Sequence, residues 1–114
     1  NVELSKRINK PMVIEEFGYC RQGNLCDLSL PVDSRDKFYE YIFSQVKQSI
    51  DQQGPIAGCN FWGWAGSGRP NTEVWSAGDD YLCDPPHEPQ GWYSVFDCDT
   101  TTIEIIKKFA QDVQ

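Results

Sequence analysis

Met12-Val13-Ile14-Glu15-Glu16-Phe17-Gly18 is a short apolar run, β-branched at Val13 and Ile14, that ends in two carboxylates and a glycine. A run of this length and composition reads as a buried strand rather than a helix. Upstream, residues 1–9 carry apolar side chains only at Val2, Leu4 and Ile8, as in the last turns of a helix, and Lys10-Pro11 stops it, because proline disfavours helix at the residue before it. Downstream, Gly18, Gly23, Pro31 and several polar residues make 18–33 a long loop.

A helix follows. Asp33-Ser34 supplies its N-cap, Asp36 sits in the first turn, and Phe38, Tyr41, Ile42, Gln45, Val46, Ser49 and Ile50 carry the 3.6-residue stripe up to Gly54-Pro55. Ile56 to Trp62 is a second strand. From Gly63 to Val95 the chain is rich in Gly, Pro, Asp and Trp without periodicity. Ile103, Ile106, Phe109, Ala110 and Val113 then mark a last helix, with Thr101 and Glu104 spaced as a capping box. Strands alternating with helices make a parallel sheet with right-handed crossovers. Both long loops follow carboxyl ends of strands, where α/β barrels keep their active sites. Two strands are too few for a parallel sheet covered on both faces. The expected fold is therefore α/β, with residues 1–114 forming roughly the last quarter of a larger barrel whose remainder lies upstream.

The composition, 39% hydrophobic and 24% charged, is that of an ordinary globular chain, and no apolar run approaches the ~18 residues of a membrane span. Ten basic against 17 acidic residues leave a net charge of −7, a poor basis for neutralising phosphates, so neither nucleic acid nor membrane is an expected partner. Cys20, Cys26, Cys59, Cys83 and Cys98 contain no CxxC pair, which argues against zinc. Cys59 reads as a buried free thiol, and disulfides are expected among the other four, in any of three connectivities, implying an oxidising compartment. No signal peptide and no Asn-x-Ser/Thr sequon is visible.

The chemistry centres on the strand ends. Glu15 and Glu16 alternate along a strand, so one looks into the barrel and the other towards the helices, with Glu16 on the face of Met12 and Ile14. A carboxylate at the end of an apolar strand is costly to bury without partners, which gives at least one of them a functional reading beside the structural one of capping or pairing. Trp62 and Trp64, after Asn60, offer flat faces for stacking on sugar rings. Arg69 either reaches a substrate hydroxyl or pairs with a loop acid. His87 reads as an exposed loop residue. Asp79, Asp80 and Asp84 match no EF-hand spacing and read as an acidic loop rather than a calcium site. Cys20 has no nearby histidine to act as its base.

Lys10 to Gly18 resembles the seventh-strand motif of glycoside hydrolase family 5. Gly58-Cys59-Asn60-Phe61-Trp62-Gly63-Trp64, followed by Gly66-Ser67-Gly68-Arg69-Pro70, resembles strand eight and its loop in the endo-β-1,4-mannanases of that family. Asp79-Asp80-Tyr81, Asp84-Pro85-Pro86 and Gln90 to Asp97 resemble the rest of that loop. The resemblance, from Lys10 to about Phe109, implies the strand-seven to helix-eight portion of a TIM (β/α)8 barrel. It implies retaining hydrolysis of β-1,4-mannosidic bonds in a secreted enzyme acting on mannan-type polysaccharide, with no cofactor and no metal. By position Glu16 matches the catalytic nucleophile and Trp62 the aromatic beneath the sugar, while Trp64, Arg69 and Trp92 are looser matches to substrate contacts. Glu15 has no catalytic counterpart. The family's acid/base glutamate follows an asparagine at the end of strand four, and no Asn-Glu pair occurs here, so the segment alone is expected to be inactive. The alternatives are a β-1,4-glucanase on the same barrel, a non-catalytic carbohydrate-binding module and an α/β interaction domain; two helical stripes argue against the β-sandwich usual for such modules.

Overall fold

A computed structural model describes residues 1–114. Helix α1 (Val2–Ile8) leads into strand β1 (Met12–Phe17), and helix α2 (Asp33–Asp51) into strand β2 (Ile56–Phe61). Two short strands, β3 (Trp64–Gly66) and β4 (Val95–Phe96), bracket the long loop before helix α3 (Thr100–Asp112). The segment anticipated as one unstructured stretch is thus closed at its two ends. β1 pairs parallel with β2, and β3 pairs parallel with β4.

The register of β1 departs from simple alternation. Ile14 lies opposite Cys59 and Phe17 opposite Phe61, so three steps along β1 match two along β2, a β-bulge. Ile14, Phe17, Cys59 and Phe61 all pack into the core beneath the helices. Glu15 and Glu16 are left together across from Asn60. Ile14 therefore faces the helices together with Phe17, which corrects the expectation that Glu16 shares its face, while the two glutamates line different pockets, Glu15 one beside α1 and Glu16 one at the strand end.

The core lies between the β1–β2 pair and helices α2 and α3. Phe17 meets Tyr39 and Phe43 edge-on at centroid distances of 5.0 and 5.7 Å, and Phe43 stacks on Phe109 at 4.3 Å. Aromatic pairs in these arrangements add about 0.5–1.5 kcal/mol to their area burial. The buried stripe of α2 is Arg35, Tyr39, Phe43 and Val46. The expected stripe holds at Val46, which is fully buried, and at Phe38 and Ile42, which pack against the core, but not at Tyr41, 60% exposed, or Gln45, also exposed. The departure is electrostatic as well as apolar, because Arg35 is drawn inwards by a buried carboxylate that a hydrophobic pattern does not register.

That carboxylate is Asp99. Arg21 Nη2 donates to its Oδ1 at 2.5 Å and Arg35 Nη2 to its Oδ2 at 2.6 Å, while the Phe96 amide donates to Oδ2 at 3.0 Å. Arg21 Nη1 reaches the Leu30 carbonyl at 2.6 Å and Arg35 Nη1 the Ser94 carbonyl at 2.8 Å. One side chain therefore joins the loop after β1, the start of α2 and the start of α3.

Helix ends also differ from expectation. The N-cap of α2 is Val32 and that of α3 is Asp99, neither with a side-chain cap, so neither Asp33-Ser34 nor the Thr101/Glu104 box caps its helix. Thr101 Oγ1 instead donates to Asp36 at 2.5 Å, and Thr102 Oγ1 to the same carboxylate. These bonds latch the two helix starts together. α1 ends at Asn9, in the left-handed conformation at φ 51°, ahead of Lys10-Pro11.

All five cysteines are free thiols, contrary to the expected disulfides. Cys26 Sγ faces the Gln90 carbonyl at 3.8 Å and Cys83 Sγ faces Ser94 Oγ at 3.2 Å. No helix is long and apolar enough to cross a membrane.

Candidate active site

Parallel strands bring their carboxyl ends to one edge, and here β1 and β2 deliver Glu16 and Trp62 to the same pocket. It has a volume of about 270 Å³ and is walled by Glu16, Phe17, Gly18 and Trp62 on the strand side. Pro85, Glu88 and Tyr93 of the long loop complete it. The Trp62 amide donates to the Phe17 carbonyl at 2.6 Å, which carries the pairing of β1 and β2 one step past the strands and fixes Trp62 beside the glutamate. Trp62 is 38% exposed, so part of its indole is open to a ligand. The Trp62–Gly63 peptide is cis.

Gly18 is there for want of a side chain. A Cβ at this position would lie 2.6 Å from the Trp62 carbonyl oxygen and 2.7 Å from Tyr93 Cδ1. The strand, the Trp62 carbonyl and the Tyr93 ring close up on one another only because residue 18 has none.

The loop side of the pocket is organised by Asp84, which is 3% exposed. Its Oδ2 accepts from the Gly91 amide at 2.9 Å and from Ser94 Oγ at 2.6 Å, and its Oδ1 accepts from the Tyr93 amide at 2.8 Å. Buried Gln90 donates through Nε2 to the carbonyls of Asp84, Pro85 and Glu88 at 3.0–3.2 Å, which closes the turn that carries Glu88. The loop end is then stitched to β2: the Gly63 amide donates to the Tyr93 carbonyl at 3.2 Å and the Val95 amide to the Gly63 carbonyl at 2.9 Å. Burial pushes the Cys83 thiol up to about 11, partly offset by its contact with Ser94, so the group stays protonated at neutral pH.

Of the residues singled out in the sequence, Glu16 and Trp62 meet in this pocket. The others stand elsewhere. Glu15 lines a separate crevice beside α1, with Leu4, Ile8 and Val13. Trp64 lines an apolar groove between β2 and α3, together with Phe61, Ile106 and Phe109. Arg69 Nη2 pairs with Asp97 at 2.5 Å and Nη1 donates to the Gly68 carbonyl at 2.8 Å, so of the two readings the structure shows the pairing with a loop acid. Trp92 stacks on Tyr93 with centroids 4.7 Å apart, outside the pocket lining. Asp79 accepts from the Ser76 amide and Asp80 from the Arg69 amide. No group of three or more His, Cys, Asp or Glu side chains is arranged to hold a metal ion. Sequence reading missed Glu88, Tyr93 and Pro85 as pocket residues. The signal that could have found them is the Pro85-Pro86 and Pro89-Gln90-Gly91 punctuation around a lone acid, which marks a tight excursion but not its direction.

Glu16, Trp62 and the loop residue Glu88 thus line one pocket at the carboxyl end of parallel strands, the end at which α/β barrels keep their active sites. The family model for β-mannosidase-like proteins of glycoside hydrolase family 5 matches residues 1–114, and the chain belongs to that family. Among solved structures, it is similar to a glycoside hydrolase family 5 mannosidase from Rhizomucor miehei, with 34% identity and a TM-score of 0.83. A point mutant of that mannosidase gives 35% identity and a TM-score of 0.83. A second mutant, in complex with mannosyl-fructose, gives 32% and 0.82. Each alignment covers 98% of this chain and 28% of the other. The chain therefore spans just over a quarter of the length of these mannosidases, and its fold is a partial TIM barrel. None of the curated proteins compared with the chain matches it.

Proposed function

We propose that residues 1–114 form the C-terminal segment of a retaining β-mannan hydrolase and that Glu16 is its nucleophile. The observation that carries this reading is the convergence of Glu16 and Trp62 in one pocket at the strand ends. In the first step the Glu16 carboxylate attacks the anomeric carbon, forming a glycosyl ester as the C–O bond to the leaving sugar breaks. A carboxylic acid from the upstream barrel, about 5–5.5 Å away in a retaining site, protonates the departing oxygen. In the second step that carboxylate takes a proton from water, whose oxygen displaces Glu16 from the same carbon with net retention. Trp62 supplies the flat face beneath the pyranose, and Glu88 accepts hydroxyl hydrogens from the sugar. Arg69, committed to Asp97, and Trp64, in the apolar groove, are given no part in these steps. Trp92 acts through its stack on Tyr93. No cofactor is required, and secretion towards an extracellular polysaccharide belongs to the same proposal.

Internal β-1,4-mannosidic bonds are the proposed substrate. One observation favours a second reading: Pro85 and Glu88 reach into the pocket from the loop and narrow it, which suits the terminal sugar of a short mannoside. Rates on polymeric mannan against an aryl β-mannoside separate the two.

The decisive experiment replaces the nucleophile in the complete barrel that carries this segment. Glu16→Ala should lower kcat on an aryl β-mannoside by at least about 10⁴-fold, in line with losses at other covalent nucleophiles. Added azide should restore turnover and give the α-mannosyl azide. Full activity in the alanine form, or rescue with the β-azide as product, removes Glu16 from this role.

A further inference from the structure

Asp84 is not among the residues that wall the pocket, yet the loop segment carrying Tyr93 is held by it. Its two carboxylate oxygens take three donors, the amides of Gly91 and Tyr93 and the hydroxyl of Ser94, over distances of 2.6–2.9 Å. With the Tyr93 amide held there and the Tyr93 carbonyl held by Gly63, the backbone of residue 93 is gripped from both sides. Its ring then lies against Gly18, two residues beyond Glu16, at a spacing that a single methyl group would violate.

We propose that Asp84 is a positioning residue for the sugar pocket: it fixes Tyr93 against Gly18 and Trp62, so that the wall beside Glu16 stands ready before substrate arrives. The proposal rests on the functional reading above. A buried acceptor satisfied by three donors is costly to disturb, and a wall set by backbone bonds does not have to be ordered at the moment of binding. Asp84 thus acts on the sugar only through Tyr93.

That dependence predicts a non-additive double-mutant cycle. Asp84→Asn, close to isosteric, keeps one acceptor oxygen but turns an amide NH2 towards at least one of the three donors. In the complete barrel, assayed on mannotetraose and normalised to active sites titrated with a mechanism-based inhibitor, it should lower kcat/KM on the order of 10- to 100-fold, chiefly through KM. Tyr93→Ala should do the same, and the double variant should fall no more than about twofold below Tyr93→Ala alone. Ser94→Ala, which removes one of the three donors, serves as the milder variant if Asp84→Asn does not fold, and should raise KM about two- to fivefold. Additive losses in the cycle, an unchanged kcat/KM in Asp84→Asn, or an unchanged KM in Ser94→Ala overturns the positioning role. A wild-type barrel that leaves both mannotetraose and aryl mannoside intact overturns the functional reading instead, so the two failures are distinct.

Discussion

At the scale of single residues the site depends on an absence. Gly18 stands where the Trp62 carbonyl and the Tyr93 ring converge, and the nearer obstacle to any side chain is backbone, which yields less readily than a flexible tip. Gly18→Ala should therefore destabilise the complete barrel by about 1–3 kcal/mol, the usual cost of overpacking. It should also lower kcat/KM about 100-fold, because either the glutamate strand or the tyrosine must shift by enough to spoil alignment. Chemical denaturation and steady-state kinetics check both, and wild-type kinetics would mean that the close approach is not needed for the chemistry. Glu16 and Trp62 were legible in the sequence because their setting is local: each closes an apolar strand. Tyr93 and Glu88 were not, because Tyr93 is placed by Asp84 and the turn carrying Glu88 is closed by Gln90, through hydrogen bonds between residues up to ten apart along an aperiodic loop.

Among elements, the two-arginine clasp on Asp99 is the clearest dependency. Asp99 receives Arg21 from the loop after β1 and Arg35 from the first turn of α2, and all three side chains are almost wholly buried. Asp99→Asn leaves two guanidinium groups without their counter-charge. Loss of one partner from a buried pair costs about 3–5 kcal/mol, and a drop of that size in denaturation free energy at pH 7 is expected for the complete barrel. A loss below about 1 kcal/mol would show that solvent, not Asp99, balances these arginines. The same clasp explains what was legible at this scale. β1, α2, β2 and α3 follow from hydrophobic period and length, which are properties of neighbours in sequence. The burial of Arg35 does not, since it turns inwards to meet a carboxylate 64 positions away. The bulge at Glu15-Glu16 escaped for a similar reason, being a property of how β1 meets β2 rather than of β1 alone. β3 and β4 escaped because strands so short carry no period.

The whole molecule is less compact than its length would allow. A radius of gyration of 15.9 Å and extents of 47 × 26 × 22 Å compare with a radius of about 13 Å for a self-contained domain of this size. Leu4, Ile8 and Val13 are exposed along one flank, and an apolar groove of about 610 Å³ opens between β2 and α3 on the other. Both flanks are edges of a sheet that a full barrel would close. Expressed alone, the segment should hydrolyse neither mannan nor an aryl mannoside, since it holds a proposed nucleophile without a proton donor placed across from it. Measurable turnover by the purified segment would show that a second carboxylate within it, Glu88 foremost, takes the acid/base role.

The groove between β2 and α3 also contains its own optical probe. Trp64 sits at its lip with 55% of its surface in water. Where a full barrel closes over that groove, the indole should pass from a wet to an oily environment and its emission should move to shorter wavelength. Barrel closure can thus be followed in real time without attaching a dye, once the other three tryptophans are replaced by phenylalanine.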